Sequence, residues 1–206
     1  MIELVTTEGI FRLDGGEWEV TNNIWLIGND REVIVIDAAH DPTPIVEAVH
    51  GRRVSAIALT HGHNDHINAA VALQEAVDAP ILLHPDDTML WSDVYPDRAP
   101  DRDLRHGDVL RAGGHDLGVL HTPGHSPGGC CFVVESGGHV FSGDTLFCGG
   151  PGATGRSHSD FATIIDSIRR RLLTLPPETV VHTGHGDTTT IANEAPELDE
   201  WLRRGH

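Results

Sequence analysis

Two periods of apolar residues alternate along the chain and predict its elements. Ile24-Trp25-Leu26-Ile27 and Val33-Ile34-Val35-Ile36 are β-branched-rich runs flanking the polar turn Gly28-Asn29-Asp30-Arg31, so the first fifty residues read as antiparallel strands with a hairpin here. Pro42 and Pro44 open a helix with Ile45 and Val49 on one face and Gly51 as its stop. Val54 to Leu59 is the next strand, and Ile67, Ala70, Val71 and Val77 share one face of a following helix. Ile81-Leu82-Leu83 predicts a short strand, whereas residues 84–116, rich in Asp and Pro, carry neither period and read as loop. Strands resume at Val119-Leu120, at Cys131 to Val134 and, past the Gly137-Gly138 turn, at Val140-Phe141. Phe161, Ile164, Ile165, Ile168 and Leu172 recur at helical spacing and predict a helix over Asp160 to Leu175 capped by Ser159. Thr179-Val180-Val181 is a last strand and Pro196 to Arg204 a terminal helix. Two strand-rich halves, each with its own helices, imply the α/β class: one domain over residues 1–206, with two sheets packed face to face and helices outside.

Composition narrows the chemistry. The net charge of −17 repels phosphate backbones and anionic lipid, so neither nucleic acid nor membrane is expected as a partner. No apolar stretch is long enough to span a bilayer, and the start lacks the basic and apolar regions of a signal peptide, which points to the cytoplasm. All 14 basic residues are Arg, which excludes a lysine nucleophile. Cys130, Cys131 and Cys148 offer no disulfide framework and no C-x-x-C spacing, and read as reduced thiols. Histidine occurs 15 times, and neutral imidazole is the commonest metal ligand.

The imidazoles are not scattered evenly. Thr60-His61-Gly62-His63-Asn64-Asp65-His66 follows the strand at Val54 to Leu59 and places three imidazoles and a carboxylate within six residues, in a loop whose glycine lets the chain gather all four. Three later segments put a ligand-capable residue among small residues directly after a strand: Thr122-Pro123-Gly124-His125, Ser142-Gly143-Asp144-Thr145 and Thr183-Gly184-His185-Gly186-Asp187. Each alone is an ordinary turn; in this order, after the His61 motif, they suggest one metal site.

In these motifs the sequence resembles the metallo-β-lactamase superfamily, and within it the glyoxalase II-like (hydroxyacylglutathione hydrolase-like) enzymes. The likeness runs from Asn22-Asn23-Ile24-Trp25-Leu26 through Ile36-Asp37 and the motifs above to Gly186-Asp187-Thr188-Thr189-Thr190-Ile191. The resemblance implies an αββα sandwich, two mixed β-sheets with helices on the outer faces. It implies two divalent metal ions, one held by His61, His63 and His125 and the other by Asp65, His66 and His185, with Asp144 bridging. Five imidazoles and two carboxylates suit zinc first, with iron or manganese also accommodated.

Two such cations lower the pKa of bound water toward neutrality, and the expected reaction is hydrolysis by metal-activated hydroxide, with Asp65 and Asp144 as the catalytic carboxylates. No separate acid for a leaving group stands out, which favours the thioester of a small thiol, since a thiolate leaves without prior protonation. Asp37 is a candidate partner for a ligating imidazole. Arg156 is a candidate anchor for a substrate carboxylate. His84, His106, His121, His139, His158 and His182 read as solvent-facing or core residues, and Cys148 as a packed one. The resemblance is to a short form, expected to be without the helical C-terminal domain of long glyoxalase II enzymes, so the identity of the thiol stays open. The alternatives are an iron persulfide dioxygenase, which needs one metal on the counterparts of His61, His63, His125 and Asp144, and a lactonase, which would call for a tyrosine near the site; Tyr95 is the only one here.

Overall fold

The computed structural model describes residues 1–134 and 136–205. In chain order the elements are β1 (Ile2–Leu13), β2 (Gly16–Gly28), β3 (Glu32–Ile36), α1 (Pro42–Val49), β4 (Arg53–Ala58), α2 (Asn64–Ile67), α3 (Ala70–Val77), β5 (Ile81–Leu83), α4 (Thr88–Val94), β6 (Arg102–Asp103), β7 (Val109–Ala112) and β8 (His115–His121). There follow β9 (Cys130–Val134), β10 (His139–Gly143), β11 (Leu146–Phe147), β12 (Gly150–Pro151), α5 (Phe161–Ser167), β13 (Val180–Thr183), β14 (Thr189–Thr190), α6 (Ile191–Glu194) and α7 (Leu198–Arg204).

Two six-stranded sheets result, ordered β1-β2-β3-β4-β5-β6 and β14-β13-β10-β9-β8-β7. Both are mixed: β1 to β3 are antiparallel and β3 to β6 parallel, while in the second sheet only β10 and β13 run parallel.

Strand alternation sorts the side chains into three apolar layers. Trp25, Ile27, Ile34 and Ile36 point between the sheets and meet Leu117, Val119, Phe132 and Phe141. Their neighbours Ile24, Leu26, Val33 and Val35 point the other way, under Ile45, Val49, Leu73 and Trp91 of α1, α3 and α4. On the far side Cys131, Val140 and Val181 pack beneath Ile164, Ile168, Leu172 and Trp201. Both faces of the central strands are therefore covered, which is why those strands are continuously apolar. This is the αββα sandwich that the sequence predicts.

Several boundaries differ from expectation. Residues 84–116 are not a loop: they hold α4, β6, β7 and the start of β8, elements of two to seven residues whose period is too brief to register. Asp160, not Ser159, caps α5, its carboxylate accepting the Thr163 N–H at 2.7 Å, and α5 passes at Ile168 into a wider π turn ending at Leu172. α1 ends on His50 in the left-handed region, one residue before Gly51. The strand expected at Thr179–Val181 runs over Val180–Thr183 and is not the last, since β14 follows it, and the terminal helix is a short turn over Ala195–Glu197 followed by α7.

Candidate metal centre

Five segments converge where strand ends of the two sheets meet. The loop after β4 and the short α2 supply His61, His63, Asp65 and His66; the loops after β8, β10 and β13 supply His125, Asp144 and His185. All seven are buried or half-buried. In the first triad His61 Nε2 and His63 Nδ1 are 3.0 Å apart, and His63 Nδ1 and His125 Nε2 likewise 3.0 Å. In the second, His185 Nε2 lies 3.1 Å from His66 Nε2 and 3.4 Å from Asp65 Oδ2. Asp144 stands between them: its Oδ2 is 3.5 Å from both His125 Nε2 and His185 Nε2, and its Oδ1 is 3.3 Å from His66 Nε2.

These spacings fit a pair of cations. Nitrogens bound at roughly 2.0–2.1 Å in a tetrahedral set lie roughly 3.3 Å from one another. The tautomers agree. His61 Nδ1 meets Thr60 Oγ1 at 3.0 Å, His66 Nδ1 donates to Asp37 Oδ2 at 2.9 Å, His125 Nδ1 to the Ala153 carbonyl at 2.9 Å and His185 Nδ1 to the Thr21 carbonyl at 2.7 Å. Each outward proton leaves an inward Nε2 lone pair, the arrangement of metal-bound imidazoles. Asp65 Oδ1 and Asp144 Oδ1 are buried without a hydrogen bond, a costly state that a cation would relieve.

Without a cation the carboxylates must hold protons on their neighbours. Burial opposes charge on His66 and His185, yet Asp144 beside both overcomes it, raising His66 well above the imidazole range and His185 to about 10. Burial, reinforced by His125, instead pushes His63 down to about 3. Asp65, despite its burial, is held at about 2 by His66 and His185.

Three supports lie outside the motifs. Asp87, fully buried just before α4, accepts the Gly62 N–H at 2.8 Å, the Ser126 hydroxyl at 2.8 Å and the Gly128 N–H at 2.6 Å, so one carboxylate fastens the His61 loop to the His125 loop. Asn22 donates to Asp65 Oδ2 at 3.2 Å, and its own carbonyl is 2.8 Å from His40 Nε2. Asp37 accepts from the Thr60 backbone and hydroxyl as well as from His66, and so sits behind His61 and His66 together. Of these only Asp37 is a candidate from the sequence.

A cavity of about 360 Å³ opens onto the centre, lined by Phe11, Val20, Thr21, Phe147 and Ala153 together with His63, Asp65, His125, Asp144 and His185. Phe11 packs 5.4 Å from the His63 ring, and Trp18 packs on Phe11. Arg156 lies 3.9 Å above the Trp18 ring, at the tip of the β1–β2 hairpin. Cys148, expected to be packed, is instead exposed, as is His158, and neither lines the cavity. Tyr95 donates its hydroxyl to the Ile67 carbonyl from the far end of α4 and does not line it either.

Residues 18–185 match the Metallo-beta-lactamase superfamily, and the chain belongs to it. Hydroxyacylglutathione hydrolase GloC of Haemophilus influenzae is 30% identical over 186 residues, spanning 83% of this chain and 87% of that one. Among solved structures, TTHA1623 in a di-iron-bound form is 36% identical with a TM-score of 0.75, covering 84% of this chain and 92% of that one. ETHE1 from Myxococcus xanthus is 28% identical with a TM-score of 0.72, covering 91% and 80%. The chain is thus a superfamily enzyme with clustered His and Asp donors for divalent metal.

Proposed function

We propose that the protein is a binuclear metal-dependent thioesterase of the glyoxalase II type, hydrolysing an acyl thioester of a small thiol. The observation that carries the two-metal reading is the position of Asp144, whose carboxylate lies within 3.5 Å of imidazoles from both triads. In this reading His61, His63 and His125 hold one cation, Asp65, His66 and His185 the other, and Asp144 both. Zinc is the first expectation, and the di-iron form of TTHA1623 favours iron as the second. A bound pair supplies Lewis acidity and water of near-neutral pKa.

The chain's own residues do the rest. Asp37, Thr60 and the carbonyls of Thr21 and Ala153 fix the imidazole orientations. Asp65 lines the cavity and holds a buried carboxylate oxygen without a partner, and it would accept a hydrogen bond from the attacking water and orient it toward the acyl carbon. Phe11, Val20 and Phe147 give the cavity an apolar wall that excludes bulk water from the acyl group, and its volume of about 360 Å³ is that of a small-molecule site. Among the described residues lining the cavity, the titratable ones are all proposed ligands, leaving no separate acid for an amine or alkoxide. A thiolate, with a pKa near roughly 8.5, leaves without one. Arg156, braced on Trp18, is the proposed anchor for a carboxylate on the thiol.

The persulfide dioxygenase reading needs neither His66 nor His185 as a ligand, and their place beside Asp144 tells against it. Elemental analysis together with a panel of lactoyl, formyl and acetyl thioesters tests the proposal. Two metals per chain and thioester turnover are expected; one metal with oxygen uptake on a persulfide would replace it.

A further inference from the structure

Behind the second triad, Asn68, His40 and Asn22 form a chain of hydrogen bonds in which every donor and acceptor is determined. The backbone N–H of His40 can only donate, and it donates to Asn68 Oδ1, so the other end of that amide is its N–H₂. Asn68 Nδ2 lies 3.1 Å from His40 Nδ1, which must therefore be the bare nitrogen of the ring. The ring proton is on Nε2, 2.8 Å from Asn22 Oδ1, and the Asn22 amide is held with its N–H₂ on the opposite side. That N–H₂ stands over the second triad, 3.2 Å from Asp65 Oδ2, 3.3 Å from His66 Nε2 and 3.5 Å from His185 Nε2. We propose, on the two-metal hydrolase reading above, that His40 is a positioning residue which fixes the Asp65 carboxylate by dictating the orientation of the Asn22 amide.

The local fold is built around this ring. The Ala38 N–H donates to the His66 carbonyl at 2.9 Å and the Ala69 N–H to the Ala38 carbonyl at 3.0 Å, which ties the loop between β3 and α1 to the segment carrying Asp65 and His66. His40 itself has a φ of 60°, in the left-handed region. On β1, a Cβ at residue 9 would overlap the imidazole, and residue 9 is Gly.

The opposite orientation shows what His40 prevents. Turned over, the Asn22 amide would set its oxygen against Asp65 Oδ2, two acceptors with no proton between them. As it stands, Oδ2 is tethered and Oδ1 is the oxygen of Asp65 without a partner. A leucine at position 40 donates nothing, so the amide is free to turn. A glutamine there can present an N–H₂ to Asn22 Oδ1 and keep the order. Both carry the same left-handed backbone cost, so the difference between them reads the hydrogen bond.

Two measurements test this. Long-range 1H–15N NMR of the zinc-loaded wild type should show His40 with its proton on Nε2; a proton on Nδ1 overturns the proposal. Chelator competition should show the second zinc held about tenfold or more weakly in His40→Leu, and within about threefold of the wild type in His40→Gln. Equal affinity in His40→Leu and the wild type overturns the proposal, and so do equal losses in the two variants, because the ring would then act by packing alone. The NMR result is read on the wild type and decides the matter even where His40→Leu fails to fold. Failure of the hydrolase reading shows separately, as absent thioester turnover by a wild type in which His40 is protonated on Nε2 and the two variants differ in zinc affinity.

Discussion

At the scale of single residues, the centre depends on groups that never face the cavity. Asp37 is the clearest case. Its Oδ2 accepts from both the Thr60 hydroxyl and His66 Nδ1 and its Oδ1 from the Thr60 N–H, so an amide in its place would set an N–H₂ against donors at either position. With the N–H₂ at the Oδ2 position, His66 would be driven to the tautomer with a proton on Nε2, where the second cation is proposed to bind. Asp37→Asn should keep the fold and lose tenfold to hundredfold in affinity for that metal, as read by competition with a chromophoric chelator; unchanged affinity would show that Asp37 does not set the tautomer. Gly184 acts through close approach: a Cβ there would collide with Asp144 Oδ1 and come within 2.9 Å of His66 Cε1. Gly184→Ala should therefore cut metal content and turnover together. Asp144→Ala should lose far more of the proposed hydrolase activity than Cys148→Ala or His158→Ala, since the Asp144 carboxylate lies within 3.5 Å of imidazoles from both triads; equal turnover under metal-replete conditions would remove it from the bridge.

At the scale of elements, the ligand motifs were legible because each packs its donors into a few consecutive residues at a strand end. The interior strands were legible because both of their faces are buried. What could not be read is held by contacts between distant segments. Asp87 lies in a stretch whose helix has seven residues and whose strand β6 has two, and nothing local distinguishes it from the exposed Asp86 beside it. Asn22 reaches Asp65, and His40 in turn reaches Asn22, because β2 lies against α2. Deleting the Asp87 carboxylate would leave two backbone N–H groups and a hydroxyl without their buried acceptor. Asp87→Ala should cost about 3 kcal/mol, which for a chain of this size lowers Tm by roughly 9 °C. Calorimetry of the variant decides it, and a change under about 1 kcal/mol would mean that water replaces the carboxylate.

Across the whole molecule, the two sheets are joined by an apolar layer that also encloses a titratable group. His182, on β13, sits edge-on against Trp25 at 4.5 Å and stacked on Phe141 at 4.7 Å, with Nδ1 buried and unpartnered. Burial, helped by His139, pushes it down to about 4, against about 6.5 for a free imidazole. The unfolded chain therefore takes up a proton below about pH 6.5 that the folded chain refuses until about pH 4, and stability falls as pH drops through that window. His182→Phe removes the proton-binding group while keeping an aromatic ring between Trp25 and Phe141. Its Tm should be less sensitive to acid than that of the wild type between pH 6.5 and 4.5; parallel curves would mean that His182 is protonated in the fold.

The sheets are joined a second time by the centre itself, for His61, His63, Asp65 and His66 leave the first sheet while His125, Asp144 and His185 leave the second. A cation on either triad would favour the folded chain, because only the fold adds His125, Asp144 and His185 to the donors of the His61–His66 segment. At a free concentration about a thousandfold above Kd it would stabilise the fold by at most about 4 kcal/mol. Its removal leaves Asp65 Oδ1 and Asp144 Oδ1 buried without a hydrogen bond, next to His66 and His185 raised by those carboxylates. The apolar layers do not depend on that cluster, so chelation should lower Tm without unfolding the protein at room temperature. Amide exchange should quicken in residues 60–68, 122–128 and 183–190 while β3, β4, β9 and β10 stay protected. Uniform loss of protection would show that the metals hold the sandwich itself; no change would show that protons on His66 and His185 substitute fully for the cations.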